Sequence, residues 1–110
     1  MSRIELGCPG HLIVANKCRW RRHTQVGIFR VSTVGDYFPD RDGPRDTVGS
    51  GPQDFFETMV FRTTGLPDPG SEGCGCCEVT SYDNIASARY VTAGEAQAGH
   101  ERLVAEFEQD

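Results

Sequence analysis

Residues 55–61, Phe-Phe-Glu-Thr-Met-Val-Phe, constrain the fold more than any other stretch of the chain. Aromatic and branched side chains suit a pleated surface, and a two-residue repeat divides them between two faces. Phe55, Glu57, Met59 and Phe61 share one face, while Phe56, Thr58 and Val60 share the other. Both faces are largely apolar, so the stretch reads as a central strand covered on at least one side. Glu57 is a carboxylate among aromatics on the greasier face, and it needs a partner there.

The second organising element is a helix over residues 92–108. Thr92-Ala93-Gly94-Glu95 is a capping box, in which Thr92 accepts from the Glu95 amide and Glu95 reaches back. Val91 and Ala96 are placed for a small hydrophobic staple. At helical spacing, Ala96, Gly99, His100, Leu103, Val104 and Phe107 fall on one side. Glycine costs about 1 kcal/mol against alanine inside a helix, so Gly99 on that stripe predicts close approach to the sheet. His100 lies in the middle of the stripe. With the helix expected on the face of Phe55, Met59 and Phe61, Glu57 and His100 are predicted to form a structural polar pair.

The rest of the chain supplies strands and loops. Cys8-Pro9-Gly10-His11 is a turn by composition, and 12–15 is a short apolar run. Residues 18–23 alternate Cys18, Trp20 and Arg22 against Arg19, Arg21 and His23, as a strand does. A hairpin loop over 24–27 leads to a strand over 28–34, and the two strands are expected to pair antiparallel. Residues 35–54 and 63–78 are rich in Gly and Pro and read as loops that are mobile or contact a partner. Asp40-Arg41-Asp42-Gly43 lacks the bidentate Glu a calcium loop requires. Short strands over 79–82 and 86–91 flank an Asp83-Asn84 turn. The expected fold is one α+β domain over residues 1–110. It is an antiparallel sheet of four or five strands with one C-terminal helix packed on one face.

Charge is unevenly spread. The 110 residues hold 11 Lys and Arg against 16 Asp and Glu, a formal charge of −5. Within residues 1–30 six cations face Glu5 alone, a local +5, which leaves −10 for the remainder. Lys17, Arg19, Arg21 and Arg22 therefore form a candidate partner surface. Trp20 alternates to the face opposite Arg19 and Arg21, which favours a core role over base stacking.

No stretch approaches the roughly 20 apolar residues of a membrane span, and the N-terminus lacks a signal-peptide core. The expectation is a protein of the cytoplasm, where five cysteines favour free thiols or a metal site over disulfides. Cys74, Cys76 and Cys77 are the candidate zinc ligands, because three thiols lie there within four residues. Their Cys-x-Cys-Cys spacing is not a zinc knuckle. A fourth ligand from Cys8, His11, Cys18 or His23 would have to be brought in by folding. No nucleophile elbow, Walker loop, dinucleotide fingerprint or paired-histidine motif occurs, so no catalytic residue is assigned.

Three pieces of the chain carry a resemblance. They are Val31-Ser32-Thr33-Val34; Glu57-Thr58-Met59-Val60-Phe61; and Tyr90-Val91-Thr92 with Glu95-Ala96 and Gly99-His100. Together, over residues 28–108, the chain resembles a family of small uncharacterised proteins of actinobacterial phages. The loop 35–54 and the cysteine cluster depart from that pattern. The resemblance implies a phage source, with residence in the host cytoplasm, and no established activity. The expectation is a non-enzymatic phage accessory protein that binds a host or phage macromolecule. The alternative is a small zinc-containing nucleic-acid-binding protein.

Overall fold

The computed structural model describes residues 3–6, 17–48, 51–67, 77–79 and 85–108. Six strands precede one helix: β1 (Arg3–Leu6), β2 (Cys18–Val26), β3 (Phe29–Tyr37), β4 (Phe56–Pro67), β5 (Cys77–Val79), β6 (Ala86–Tyr90) and α1 (Ala93–Glu108). All pairings are antiparallel. β1, β2, β3 and β4 are neighbours in that order. The first part of β4 is flanked by β3 and β6, and its end pairs with β5. The stretch read as a central strand is thus central, and the architecture is α+β with the C-terminal helix on the sheet.

The hairpin of β2 and β3 is longer than alternation alone suggested. Strand pairing continues to Val26 opposite Phe29, and a two-residue turn at Gly27 and Ile28 closes it. Gly27 has φ 57°, the left-handed conformation that the first turn position of a II′ hairpin demands. Thr24 and Gln25, read as loop, are buried strand residues because each finds a polar partner. The Thr24 hydroxyl meets His100 Nε2 at 2.8 Å, and Gln25 Nε2 donates to Thr63 Oγ1 at 2.9 Å. The expected loop over 63–78 is also corrected at its ends. β4 runs on to Pro67 and pairs with β5 through Thr63 opposite Val79 and Pro67 opposite Cys77. The Thr63 amide donates to Ile28 O, which holds the strand in register.

The helix settles on the face of Phe56, Thr58 and Val60, one residue out of phase with the expected one. Register places Thr24, Val31, Thr33, Ala86 and Ala88 on that same face. Val26, Val31, Val60, Leu103 and Val104 form the core, with Phe29, Ala86, Ala88 and Phe107 packed against it. The Phe29 and Phe107 rings lie 4.9 Å apart between centroids. The capping box forms as read: Thr92 Oγ1 accepts from the Glu95 amide, and the Thr92 amide donates to Glu95 Oε1, both at 3.2 Å. Val91 stays 44 % exposed, so the staple contributes little. The close approach at Gly99 is real, since a Cβ there would lie 2.1 Å from Tyr90 Oη.

The core is interrupted by a polar seam. His100, fully buried, meets Thr24 Oγ1 at Nε2 (2.8 Å) and Thr33 Oγ1 at Nδ1 (2.7 Å). Thr33 Oγ1 in turn lies 2.6 Å from Thr58 Oγ1. A hydroxyl donates or accepts as its neighbour requires, so threonines suit either tautomer of the ring. One histidine thereby ties α1 to β2 and β3, and through Thr58 to β4.

Gly35 marks a place of very close packing in the sheet. It stands opposite both Trp20 and Phe56, whose rings meet edge to face at 5.8 Å. A Cβ at Gly35 would lie 1.9 Å from Phe56 Cδ2. Phe56 is 2 % exposed and has little room to retreat. Gly35→Ala is expected to lower stability by about 1–3 kcal/mol, the usual cost of overpacking. Urea unfolding of the variant tests this, and an unchanged midpoint would contradict it.

Candidate functional site

A cleft lies where β2 begins and β3 ends. Asp36 has φ 51°, an uncommon value for a residue with a side chain, and the chain changes direction there. Beyond it the Phe38 amide donates to Lys17 O at 2.9 Å. Tyr37 bridges to Asp46, whose amide donates to Tyr37 O at 2.8 Å, so the following segment folds back on itself. This brings residues 38–41 beside the start of β2. The cleft between them has a volume of about 450 Å3 and is lined by Lys17, Cys18, Arg19, Arg21, Phe38, Pro39 and Arg41.

Four of the seven lining residues are cations and none is an acid. Lys17, Arg19, Arg21 and Arg41 are all exposed. The Arg19 guanidinium lies 3.8 Å over the centre of the Phe38 ring, and its Nη2 donates to Arg41 O at 3.5 Å. A cation held over an aromatic face loses little by being fixed, so Arg19 joins the two walls. The nearby Asp36 is taken up by Arg45 at 3.1 Å, and Asp40 and Asp42 stand exposed on the loop. The arrangement suits a ligand that brings clustered negative charge.

Cys18 lines the cleft but is 3 % exposed. Burial pushes its thiol up to about 11, with Arg21 pulling the other way and Asp36 adding to the rise. A thiol with that pKa is protonated at neutral pH and makes a poor nucleophile or metal ligand. Cys18 in the folded protein should therefore resist alkylation at pH 8 and react once the chain is unfolded in urea. Peptide mass spectrometry after labelling reads this; rapid labelling of folded protein would contradict it.

The residues singled out in the sequence divide three ways. Lys17, Arg19 and Arg21 come together in the cleft as alternation implied. Arg22 does not join them: it points to the helix side, where its Nη1 donates to Glu101 Oε1. The Glu57–His100 pair does not form. Glu57 faces away from the helix, and Arg89 Nε donates to its Oε2 at 3.0 Å. Burial raises the Glu57 pKa, and Arg89 offsets part of that rise. His100 is met instead by threonine hydroxyls, because the helix covers the alternate face. Cys74, Cys76, Cys8 and His11 lie outside the described residues, and Cys77 is the first residue of β5. His23 is buried, with Nδ1 2.7 Å from Ser32 Oγ, on the strand face opposite to Cys18.

Arg41, Phe38 and Pro39 were not anticipated as partners of the basic strand. The available signal was weak: Phe38 and Pro39 lie in the segment 35–54 that reads as loop, and Arg41 sits between Asp40 and Asp42. Among the described residues no group of three His, Cys, Asp or Glu could hold a metal ion. No helix among them is long and apolar enough to cross a membrane. Comparison with known proteins finds no matching family model, no similar curated protein and no similar solved structure.

Proposed function

We propose that this chain is a non-enzymatic binding protein of phage origin that attaches to a host or phage macromolecule through the basic cleft. The observation that carries this reading is the convergence of Lys17, Arg19, Arg21 and Arg41 on one concave surface, with no carboxylate among the described lining residues. In a chain of net charge −5, such a concentration of cations steers an acidic partner to one place. The cleft offers cations and a ring but no activated nucleophile, since Cys18 is held protonated. Phage origin rests on the sequence resemblance over residues 28–108.

Charge reversal at two exposed positions tests the reading. Arg19→Glu with Arg21→Glu should leave the circular dichroism spectrum unchanged and weaken partner capture by at least roughly ten-fold, as loss of two desolvated charge contacts does. Quantitative affinity capture from host cells, infected and uninfected, at two salt concentrations measures it. Equal capture of the same partner by both proteins would overturn the proposal.

A further inference from the structure

We propose that the cleft recognises a nucleoside phosphate, holding the phosphate with Arg21, Arg41 and Lys17 and the base or sugar against Phe38 and Pro39. This deepens the reading of the cleft as the contact surface and rests on it. Three features point to phosphate rather than to acidic side chains. The first is charge density: three guanidinium groups and one ammonium line a single space of about 450 Å3. One phosphate group brings close to two negative charges and three acceptor oxygens in a compact group, whereas matching that with carboxylates requires several side chains in the same space. The second is donor geometry, since the planar fork of arginine matches two phosphate oxygens at once.

The third feature is the apolar wall. The Phe38 ring carries the Arg19 guanidinium 3.8 Å above one face, and Pro39 continues the surface. Flat guanidinium and aromatic surfaces are the ones on which bases stack. The wall is short. Trp20, the aromatic nearest in sequence, is committed to Phe56 on the other side of the strand. Among the described lining residues Phe38 and Pro39 are the flat apolar surface, enough for one base, so a single nucleotide unit is what they fit. Its size lies within the range of about 300–1,000 Å3 usual for small-molecule sites.

Isothermal titration at low and moderate salt tests the proposal on the full chain. The probes are ATP, inorganic pyrophosphate, a single-stranded oligonucleotide with and without a 5′-phosphate, and a poly-glutamate peptide. The wild-type protein should bind ATP or the 5′-phosphorylated strand more tightly than pyrophosphate, because pyrophosphate makes no contact with Phe38 and Pro39. Arg21→Met with Arg41→Met, both exposed positions, should weaken that binding at least ten-fold while circular dichroism stays unchanged. Tighter binding of ATP identifies a free nucleotide as the source; tighter binding of the 5′-phosphorylated strand identifies a nucleic-acid end. Binding of poly-glutamate with none of the phosphates, or equal affinity in the double variant, overturns the inference. Failure here with partner capture still lost in the Arg19→Glu, Arg21→Glu protein removes the nucleotide and leaves the contact surface standing.

Discussion

Replacing His100 with alanine is expected to destabilise the protein by about 3–5 kcal/mol, a large part of the stability of a domain this size. Two costs add. The imidazole is fully buried, so its removal leaves a cavity between α1 and the sheet. It also leaves Thr24 and Thr33 without the ring nitrogens at 2.8 and 2.7 Å, and an unsatisfied buried hydroxyl costs about 1–3 kcal/mol. His100→Gln, which can still reach one hydroxyl, should recover part of the loss. Urea unfolding with two spectroscopic probes measures all three proteins. A loss below about 1 kcal/mol for the alanine variant would mean that the seam does not fasten the helix.

Replacing Arg30 with methionine is expected to have the opposite sign. Arg30 is 1 % exposed, and its Nε, Nη1 and Nη2 have no hydrogen-bond partner among the described residues. It sits on β3 between Gln25 and Phe61, on the face away from the helix. A guanidinium removed from water without a partner costs several kcal/mol, and a well-packed apolar residue of similar shape avoids that cost. Arg30→Met should therefore stabilise the fold by about 1–3 kcal/mol. The shift in urea midpoint gives the answer. A variant that loses several kcal/mol would show that the charge is compensated in solution.

These two residues also show what local pattern can and cannot carry. The helix was legible in full because its information is local: Thr92 and Glu95 form the cap, and Ala96, Gly99, His100, Leu103 and Val104 are the buried stripe. The central strand was legible because seven residues are nearly all apolar. Which face of it meets the helix was not, because both faces qualify by hydropathy. The deciding factor is the alignment of Thr24, Thr33 and Thr58 across three strands, which gives the buried histidine its partners. That alignment is a property of register and appears in no single stretch. Glu57, the stronger local oddity, belongs instead to the second face, with Arg89.

The cleft divides in the same way. Lys17, Arg19 and Arg21 share a side by simple alternation, and Trp20 is withdrawn from it. Arg22 shows the limit of reading a basic run as one surface: adjacent strand residues point apart, and its charge goes to Glu101. Phe38, Pro39 and Arg41 join only because the chain turns at Asp36 and Tyr37 bridges to Asp46. A composition-based reading of 35–54 as loop could not supply that return.

The claim that the basic cleft is the binding surface is tested most directly by hydrogen exchange on the protein with and without its captured partner. Protection on binding should concentrate in residues 17–21 and 38–41, the two walls of the cleft. Protection confined to the outer face of α1 or to β6, with those two segments unchanged, would contradict the account.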